Sequence, residues 1–119
     1  MELSVFTSQA VFWLFALSAM LVCVGSLLPA KWMPPIKHDK FAHFVAFGGM
    51  VLIARILVAN LHELAAWSVG LLVAGFCIEL LQGFVPGRQF CWKDLLANAA
   101  GISSGLLVCL LLDYILAAN

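Results

Sequence analysis

The chain has 119 residues, a length that suits one domain, and its formal net charge at neutral pH is zero. Hydrophobic residues make up 65% of the sequence and charged residues 10%, whereas soluble domains have about 45–50% apolar and about 25% charged residues. The apolar content argues against a disordered chain or a small secreted disulfide scaffold, and the neutral charge argues against a nucleic-acid-binding protein. We therefore predict an integral membrane protein whose partners include membrane lipid and no nucleic acid.

The sequence divides into four apolar segments, each close to the roughly 20 residues that a helix needs to cross the bilayer. We predict helices over about residues 6–28, 39–59, 64–84 and 93–116. The alternation of a membrane β-barrel is absent, so the predicted fold is all-α, a single four-helix transmembrane bundle over residues 1–119. A signal peptide is the alternative for the first segment, but the basic region that would precede it is missing, and we expect a retained span.

Basic residues are distributed unequally between the two ends of this bundle. Four spans place the loops at 29–38 and 85–91 on one membrane face, and the turn at 60–63 with both termini on the other. The first face carries five basic residues: Lys31, Lys37, Lys40, Arg88 and Lys93. Only Arg55 lies toward the second face. The positive-inside rule then predicts that the two loops are cytoplasmic and that both termini are outside.

The third predicted helix carries polar residues that a lipid-facing span would not tolerate. Gly75, Glu79 and Gln82 share one face of this helix by their i, i+4 and i+7 positions. Glu79 precedes Pro86 by seven residues, which places it about 10 Å below the end of the helix. A carboxylate at that depth is costly without a partner. It belongs either to a polar clamp between helices or to a functional site.

Two further sets of residues lie at the same membrane face. Asp39 and His43 are i, i+4 neighbours at the start of the second helix, where they can touch or face a common ligand. Asp39 also suits a helix N-cap, and His43 also suits a hydrogen-bonded packing position. Arg88 lies in the second loop, and its guanidinium suits either a carboxylate or phosphate ligand or an anchor among lipid headgroups.

The fourth predicted helix carries one continuous stripe of polar and small residues. Its members are Asp94, Asn98, Gly101 and Gly105, at i, i+4, i+7 and i+11. Gly101 and Gly105 form a GxxxG motif, which lets two helix backbones approach closely. We expect this stripe to pack inward against the face of the third helix that carries Gly75. The pair Gly48-Gly49 is a candidate for a similar approach on the second helix.

Four short motifs occur in order along the chain: Ser26-Leu27-Leu28-Pro29; Asp39-Lys40-Phe41-Ala42-His43; Glu79-Leu80-Leu81-Gln82 followed by Pro86-Gly87-Arg88; and Asp94-Leu95-Leu96-Ala97-Asn98 with Gly101 and Gly105. In these motifs the chain resembles, over nearly its whole length, the VanZ-like family of small bacterial membrane proteins, which is named for a teicoplanin-resistance protein. The resemblance implies a location in the bacterial cytoplasmic membrane. It also implies eight characteristic polar positions: Asp39, Lys40, His43, Glu79, Gln82, Arg88, Asp94 and Asn98.

Our first hypothesis places these eight residues in one site at the membrane face. The catalytic candidates are His43, Glu79, Asp39 and Asp94, with His43 and Glu79 as an acid/base pair. The ligand-binding candidates are Lys40, Arg88, Gln82 and Asn98. Lys40 and Arg88 would hold an anionic group, most naturally a lipid-linked phosphate or headgroup, while the two amides would orient the ligand.

Several alternatives remain open at this point. We expect no cofactor and no metal, although a variant of the first hypothesis bridges Asp39, His43, Glu79 and Asp94 with a hard divalent cation. In the second hypothesis the protein is not catalytic: the same residues clamp the helices together, and the protein modulates a partner or the cell envelope. A transporter is the third hypothesis, and it requires a homo-oligomer because four helices enclose little space for a pathway.

Overall fold

The computed structural model describes residues 2–33 and 39–119. Four α-helices make up most of these residues: α1 (Glu2–Leu27), α2 (Asp39–Leu57), α3 (Leu61–Gln82) and α4 (Trp92–Ala118). A short 3-10 turn, Ala30–Trp32, follows α1. Each of the four helices is long and apolar enough to cross a membrane, and the described ranges contain no strand. The prediction of an all-α protein with four transmembrane helices is confirmed. Residues 34–38 of the first loop, with Lys37 and His38, lie outside the described residues.

The helix ends differ from their predicted positions by a few residues. α3 begins at Leu61, inside the stretch predicted to be a turn, because its N-terminus has a reciprocal cap. The Asn60 side chain accepts a hydrogen bond from the Glu63 backbone N–H, and the Glu63 carboxylate accepts one from the Ala59 N–H, both at 2.9 Å. α3 ends at Gln82 rather than near residue 84, because the next three N–H groups bond three residues back instead of four.

The buried residues of α3 and α4 form one stripe on each helix. In α3 they are Leu64, Ser68, Leu71, Gly75, Ile78, Glu79 and Gln82. In α4 they are Asp94, Asn98, Gly101, Ile102, Gly105 and Cys109. Both sets recur at intervals of three or four residues, as expected for one inward-facing side of a helix. The prediction that these polar and small residues face the interior is confirmed.

The glycines of α4 pack against α2, which corrects the predicted helix pairing. A Cβ atom at Gly101 would collide with the backbone carbonyl of Phe44, and one at Gly105 would lie 2.9 Å from the carbonyl oxygen of Gly48. The close approach predicted by the GxxxG motif is therefore made to α2 and not to α3. Asn98 is the member of the α4 stripe that contacts α3 as predicted. Its Nδ2 lies 3.0 Å from the position that a Cβ atom at Gly75 would occupy.

The apolar core lies where α2, α3 and α4 meet. Its most buried members include Phe47, Val51, Ala54 and Leu64. α1 lies at the edge of this assembly, since Ser26 is its only buried residue. Phe15, Ala19 and Val22 pack partly buried against the core, while many other apolar side chains of α1 are exposed, as in a lipid-facing span. The core fills the middle of the bundle, and most of the buried polar residues lie at one end.

The opposite end of the bundle carries an ion pair between α2 and α4. Arg55 Nε donates to Asp113 Oδ2 at 3.1 Å, and Arg55 Nη2 donates to Asp113 Oδ1 at 2.9 Å. Arg55, the basic residue that the sequence places toward the second face, thus has a carboxylate partner. A two-point pairing of this kind is strong because both groups are charged and their geometries match.

Candidate functional site

The polar residues meet at the end of the bundle that carries the loop between α3 and α4. Because helices that follow one another in the chain run antiparallel, the start of α2, the end of α3 and the start of α4 lie at this end. α2 contributes Asp39, Lys40 and His43; α3 contributes Glu79 and Gln82; α4 contributes Asp94 and Asn98; and the loop contributes Arg88. All eight polar residues predicted from the sequence therefore lie on three helices and one loop at the same end.

Glu79 is the most enclosed of these residues, with none of its surface exposed. Its Oε2 accepts a hydrogen bond from the backbone N–H of Cys91, just before α4, at 3.2 Å. Its Oε1 is buried and has no hydrogen-bond partner among the described residues. A buried polar atom without a partner is costly and uncommon in folded proteins. The second oxygen of Glu79 is thus a feature that packing alone does not explain.

His43 is held by the side chain of Asn98. Its Nδ1 lies 2.9 Å from Asn98 Oδ1, and an amide oxygen only accepts hydrogen bonds, so Nδ1 carries the proton. In the neutral ring, Nε2 then has a free lone pair. Nε2 lies 3.9 Å from Asp94 Oδ2, which is too far for a hydrogen bond. Asn98, which is 1% exposed, therefore fixes both the orientation of the ring and the nitrogen that remains available.

Lys40 joins the buried cluster to the surface. Its Nζ donates to Asp94 Oδ1 at 3.1 Å and lies 3.6 Å from Asp39 Oδ1. The side chains of Lys40 and Asp39 are about half exposed, while that of Asp94 is mostly covered. Asp94 thus directs one oxygen to a cation at the surface and the other toward His43.

Three residues of this end form a compact group of potential metal ligands: His43, Glu79 and Asp94. Each offers one nitrogen or carboxylate oxygen, and these atoms all lie within 4.8 Å of one another. That distance is also short enough for a single water molecule to connect His43 and Glu79. Asp39, the fourth residue of the metal-bridged alternative, is not in this group.

A cleft of about 300 Å³ opens beside the cluster, between α1, α2 and α3. Its polar lining includes His43, Gln82 and Arg88, and its apolar lining includes Leu21, Val22 and Met33. Asp39 also lines it. His43 belongs both to the cleft and to the compact group, so it connects the two.

Arg88 and Gln82 bind the C-terminal end of α1. Arg88 Nε donates to the carbonyl of Leu28 and Nη2 to that of Gly25, each at 3.1 Å. Gln82 Nε2 donates to the carbonyl of Ser26 at 2.7 Å. The last carbonyls of a helix have no partner within that helix, and these two side chains supply one. Two of the five N–H donors of Arg88 are used in this way, while the side chain also lines the cleft.

Sequence reasoning missed the groups of the main chain that take part. The Cys91 N–H and the carbonyls at the end of α1 belong to the backbone, so the pattern of polar side chains does not indicate them. One signal was available: Pro29 ends α1, and a helix that ends at the membrane face leaves carbonyls that need donors. Arg88 and Gln82 are donors predicted to lie on that face.

The fold defines the class of this protein, a multi-pass membrane protein with four spans. Comparison with protein families finds that the family model described as VanZ/LLP1 matches residues 1–113. The chain therefore belongs to the VanZ/LLP1 family, as its sequence motifs predict. Comparisons with curated proteins and with solved structures find no match. The roles assigned to the eight polar residues remain predictions.

Proposed function

We propose that this protein binds an anionic ligand, either lipid-linked or derived from the cell envelope, in the cleft beside His43. The observation that carries the proposal is the division of the cleft lining. Leu21, Val22 and Met33 give an apolar wall, while Gln82 and Arg88 give a polar end. A lipid-linked phosphate has the same division, with a hydrocarbon chain that prefers the apolar wall and an anionic group that prefers donors.

The anionic group would be held by Arg88 and Lys40. Arg88 lines the cleft and carries a permanent charge with more donors than the end of α1 uses. Lys40 lies at the edge of the cleft, where its Nζ is 3.6 Å from the lining residue Asp39. An ammonium group has three N–H donors, so Lys40 can keep its bond to Asp94 at 3.1 Å and exchange the longer contact with Asp39 for an entering phosphate. Gln82 and Asn98 would orient the ligand and the His43 ring respectively.

If the bound ligand reacts, the proton-transferring groups would be His43 and Glu79. The lone pair on Nε2 of His43 suits a general base, because Asn98 holds the proton on Nδ1. A carboxylate oxygen of Glu79 lies within 4.8 Å of a ring nitrogen of His43. Asp94 and Asp39 are the further catalytic candidates. An acid/base pair next to an anion-binding cleft is typical of enzymes that act on phosphate esters, which is the reaction class we would test first.

A second function is supported by the hydrogen bonds themselves. Gln82 and Arg88 join α3 and its following loop to α1, while His43–Asn98 and Lys40–Asp94 join α2 to α4. These contacts would also be present in a protein whose polar cluster only clamps the helices, and which modulates a partner or the envelope. A substitution in the polar cluster would weaken ligand binding if the cluster is a ligand site. It would impair folding if the cluster only clamps the helices.

We propose that the cleft faces the cytoplasm in a bacterial inner membrane. Lys31, Lys40, Arg88 and Lys93 lie in or next to the connections at that end, and cytoplasmic loops carry an excess of such residues. The ligand would then be presented at the inner leaflet. Both termini would lie outside.

The test is equilibrium binding of a polyprenyl phosphate to the full-length chain in phosphatidylcholine nanodiscs, with the uncharged polyprenol as the matched ligand. The proposal predicts that the phosphate binds about tenfold more tightly or better, since one added hydrogen bond between charged groups contributes about 1.5–3 kcal/mol and about 1.4 kcal/mol corresponds to a factor of ten. Lys40→Gln should reduce this preference. Lys93→Gln removes an exposed cation from the same face and should leave it unchanged. Equal affinity for the two lipids would contradict the proposal.

A further inference from the structure

We propose that His43, Glu79 and Asp94 form a binding site for one divalent transition-metal cation, such as Zn²⁺ or Mn²⁺. The inference deepens the ligand-binding part of the proposed function and rests on it only in part, because the cation would lie next to the anion-binding cleft but does not require a bound lipid. It replaces the acid/base role of His43 and Glu79, since the cation would occupy the lone pair of His43 Nε2 and an oxygen of Glu79. It departs from the sequence-based expectation of a site without metal, and it uses three of the four residues of the metal-bridged alternative.

The distances between the three side chains suit a shared cation better than direct bonds. His43 Nε2 and Asp94 Oδ2 are 3.9 Å apart, too far for a hydrogen bond. Two ligand atoms that each lie about 2.1 Å from one cation are about 3.4 Å apart in the tetrahedral geometry of Zn²⁺. All three ligand atoms are within 4.8 Å of one another, so binding one cation requires each pair to close by up to about 1.4 Å.

The unpaired oxygen of Glu79 is an independent indication of a ligand. Glu79 is fully buried, and its Oε1 has no hydrogen-bond donor among the described residues. The backbone N–H of Cys91 already fixes Oε2 at 3.2 Å, which sets the orientation of the carboxylate. A cation would satisfy the remaining oxygen at a position that packing leaves without a partner.

His43 is prepared for metal binding by Asn98. A histidine that binds a metal through one nitrogen usually donates its other N–H to an oxygen, which fixes the ring and its tautomer. His43 has this arrangement: Nδ1 is 2.9 Å from Asn98 Oδ1, and Nε2 is on the side of Asp94. The Asn98 amide is itself buried. Asn98 is therefore a positioning residue for the proposed site rather than a ligand.

The charges in the cluster also favour a dication. Glu79 and Asp94 are both buried, and two carboxylates within 4.8 Å of each other repel when both are ionised. Lys40 offsets one of these charges through Asp94 Oδ1, but its side chain is 45% exposed and reaches the other face of that carboxylate. A divalent cation between the two would balance both charges where they are least exposed to water.

The ligand types decide the class of cation. One imidazole and two carboxylates suit Zn²⁺, Mn²⁺ and Fe²⁺ better than Mg²⁺ or Ca²⁺, which prefer oxygen ligands alone. Three protein ligands leave at least one coordination position open, as in catalytic metal sites. Because His43 also lines the cleft, the open position is accessible to a phosphate oxygen of a ligand bound there.

The test is the metal content and metal affinity of the full-length chain purified in detergent without added lipid. We expect about one equivalent of Zn²⁺ or Mn²⁺ per chain after dialysis against metal-free buffer, measured by plasma mass spectrometry, and a rise in the thermal unfolding midpoint on adding Zn²⁺. Asn98→Ala should lower the metal affinity about 10–100-fold, as the loss of an orienting residue does. His43→Ala and Glu79→Gln each remove a ligand and should lower the metal affinity by at least as much. His62→Ala and Glu63→Gln, exposed residues at the start of α3, are the matched controls and should bind as the wild type does.

Wild-type protein that retains no metal and shows no change in unfolding with Zn²⁺ or Mn²⁺ would overturn the inference, whether or not the variants fold. Metal binding that His62→Ala removes and His43→Ala leaves intact would also overturn it, because the cation would then lie elsewhere. The assay contains no lipid ligand, so its outcome is independent of lipid binding. A chain that binds metal but not polyprenyl phosphate would retain this site and lose the proposed function.

Discussion

His43 of α2 and Asn98 of α4 are joined by a hydrogen bond of 2.9 Å between Nδ1 and Oδ1. The contact is possible because α2 and α4 approach each other at glycines in the next turns, where Gly101 faces the Phe44 carbonyl and Gly105 faces Gly48. The stripe on α4 thus has two functions. Its glycines set the distance between the helices, and its amide uses that distance to hold the imidazole.

The adjacent glycines of α2 should respond differently to the same substitution. A Cβ atom at Gly48 would lie 3.0 Å from the Gly101 carbonyl oxygen, whereas one at Gly49 would meet nothing within 4 Å. Gly48→Ala should therefore destabilise the fold by about 1–3 kcal/mol through overpacking. Gly49→Ala should be neutral or stabilising by up to about 1 kcal/mol, because alanine favours a helix. Thermal unfolding in detergent, followed by circular dichroism, distinguishes the two. Equal midpoints would contradict the close packing of α2 on α4.

Removing the Asn98 amide should affect the imidazole more than the fold. Asn98→Ala leaves Nδ1–H of the partly buried His43 ring without its acceptor, at a cost of about 1–3 kcal/mol. The NMR chemical shifts of a labelled His43 ring report the tautomer directly. We expect the proton to be on Nδ1 in the wild type and shared between the two nitrogens in the variant. An Nε2–H tautomer in the wild type would contradict the arrangement.

Arg88 should prove necessary for the end of α1. Arg88→Gln removes donors from the carbonyls of Gly25 and Leu28 and should destabilise this region by about 1–3 kcal/mol. Hydrogen exchange should then increase for the backbone amides of the last turn of α1 while that of α3 is unchanged. Lys93→Gln is the control for the loss of one positive charge at this face. If Arg88→Gln and Lys93→Gln show the same hydrogen exchange in the last turn of α1, Arg88 does not hold the end of that helix.

The orientation can be tested with fusions at the C-terminus. An external terminus predicts an active alkaline phosphatase and a dark fluorescent protein when each is fused after Asn119, because the first requires export and the second requires the cytoplasm for folding. The opposite pair of results would place the cleft on the outer face. It would leave the number of spans unchanged.

The overall fold could be predicted because crossing a membrane imposes a length and a composition on each segment. The meeting of the polar residues at one end could be predicted for the same reason: Glu79, Asp94 and Asn98 are polar residues in apolar helices, and each requires a partner. The partner of the GxxxG stripe could not be predicted. A small-residue motif shows that Gly101 and Gly105 permit a close approach, but it carries no information on which neighbour makes it.

The remaining differences have local causes. The start of α3 was predicted to be a turn because Asn60 and Glu63 are polar, whereas those side chains cap the helix and so extend it. The sequence does not show that Arg55 has a partner, since Asp113 is far away in the chain. The two lie at the same end of the bundle, and a lone arginine and a lone aspartate near one membrane face are natural partners.

The central claim is that the polar cluster is a ligand site and not only a clamp between helices. The most direct measurement combines polyprenyl phosphate affinity and thermal unfolding on the same nanodisc preparations of wild type, His43→Ala and His62→Ala. Because the His43 ring lines the cleft beside Gln82 and Arg88, the account predicts that His43→Ala binds the lipid about tenfold more weakly or worse and still unfolds in one cooperative transition. His62→Ala should match the wild type in both. Unchanged affinity in folded His43→Ala would contradict the account. So would a His43→Ala protein that fails to accumulate in the membrane while His62→Ala accumulates normally.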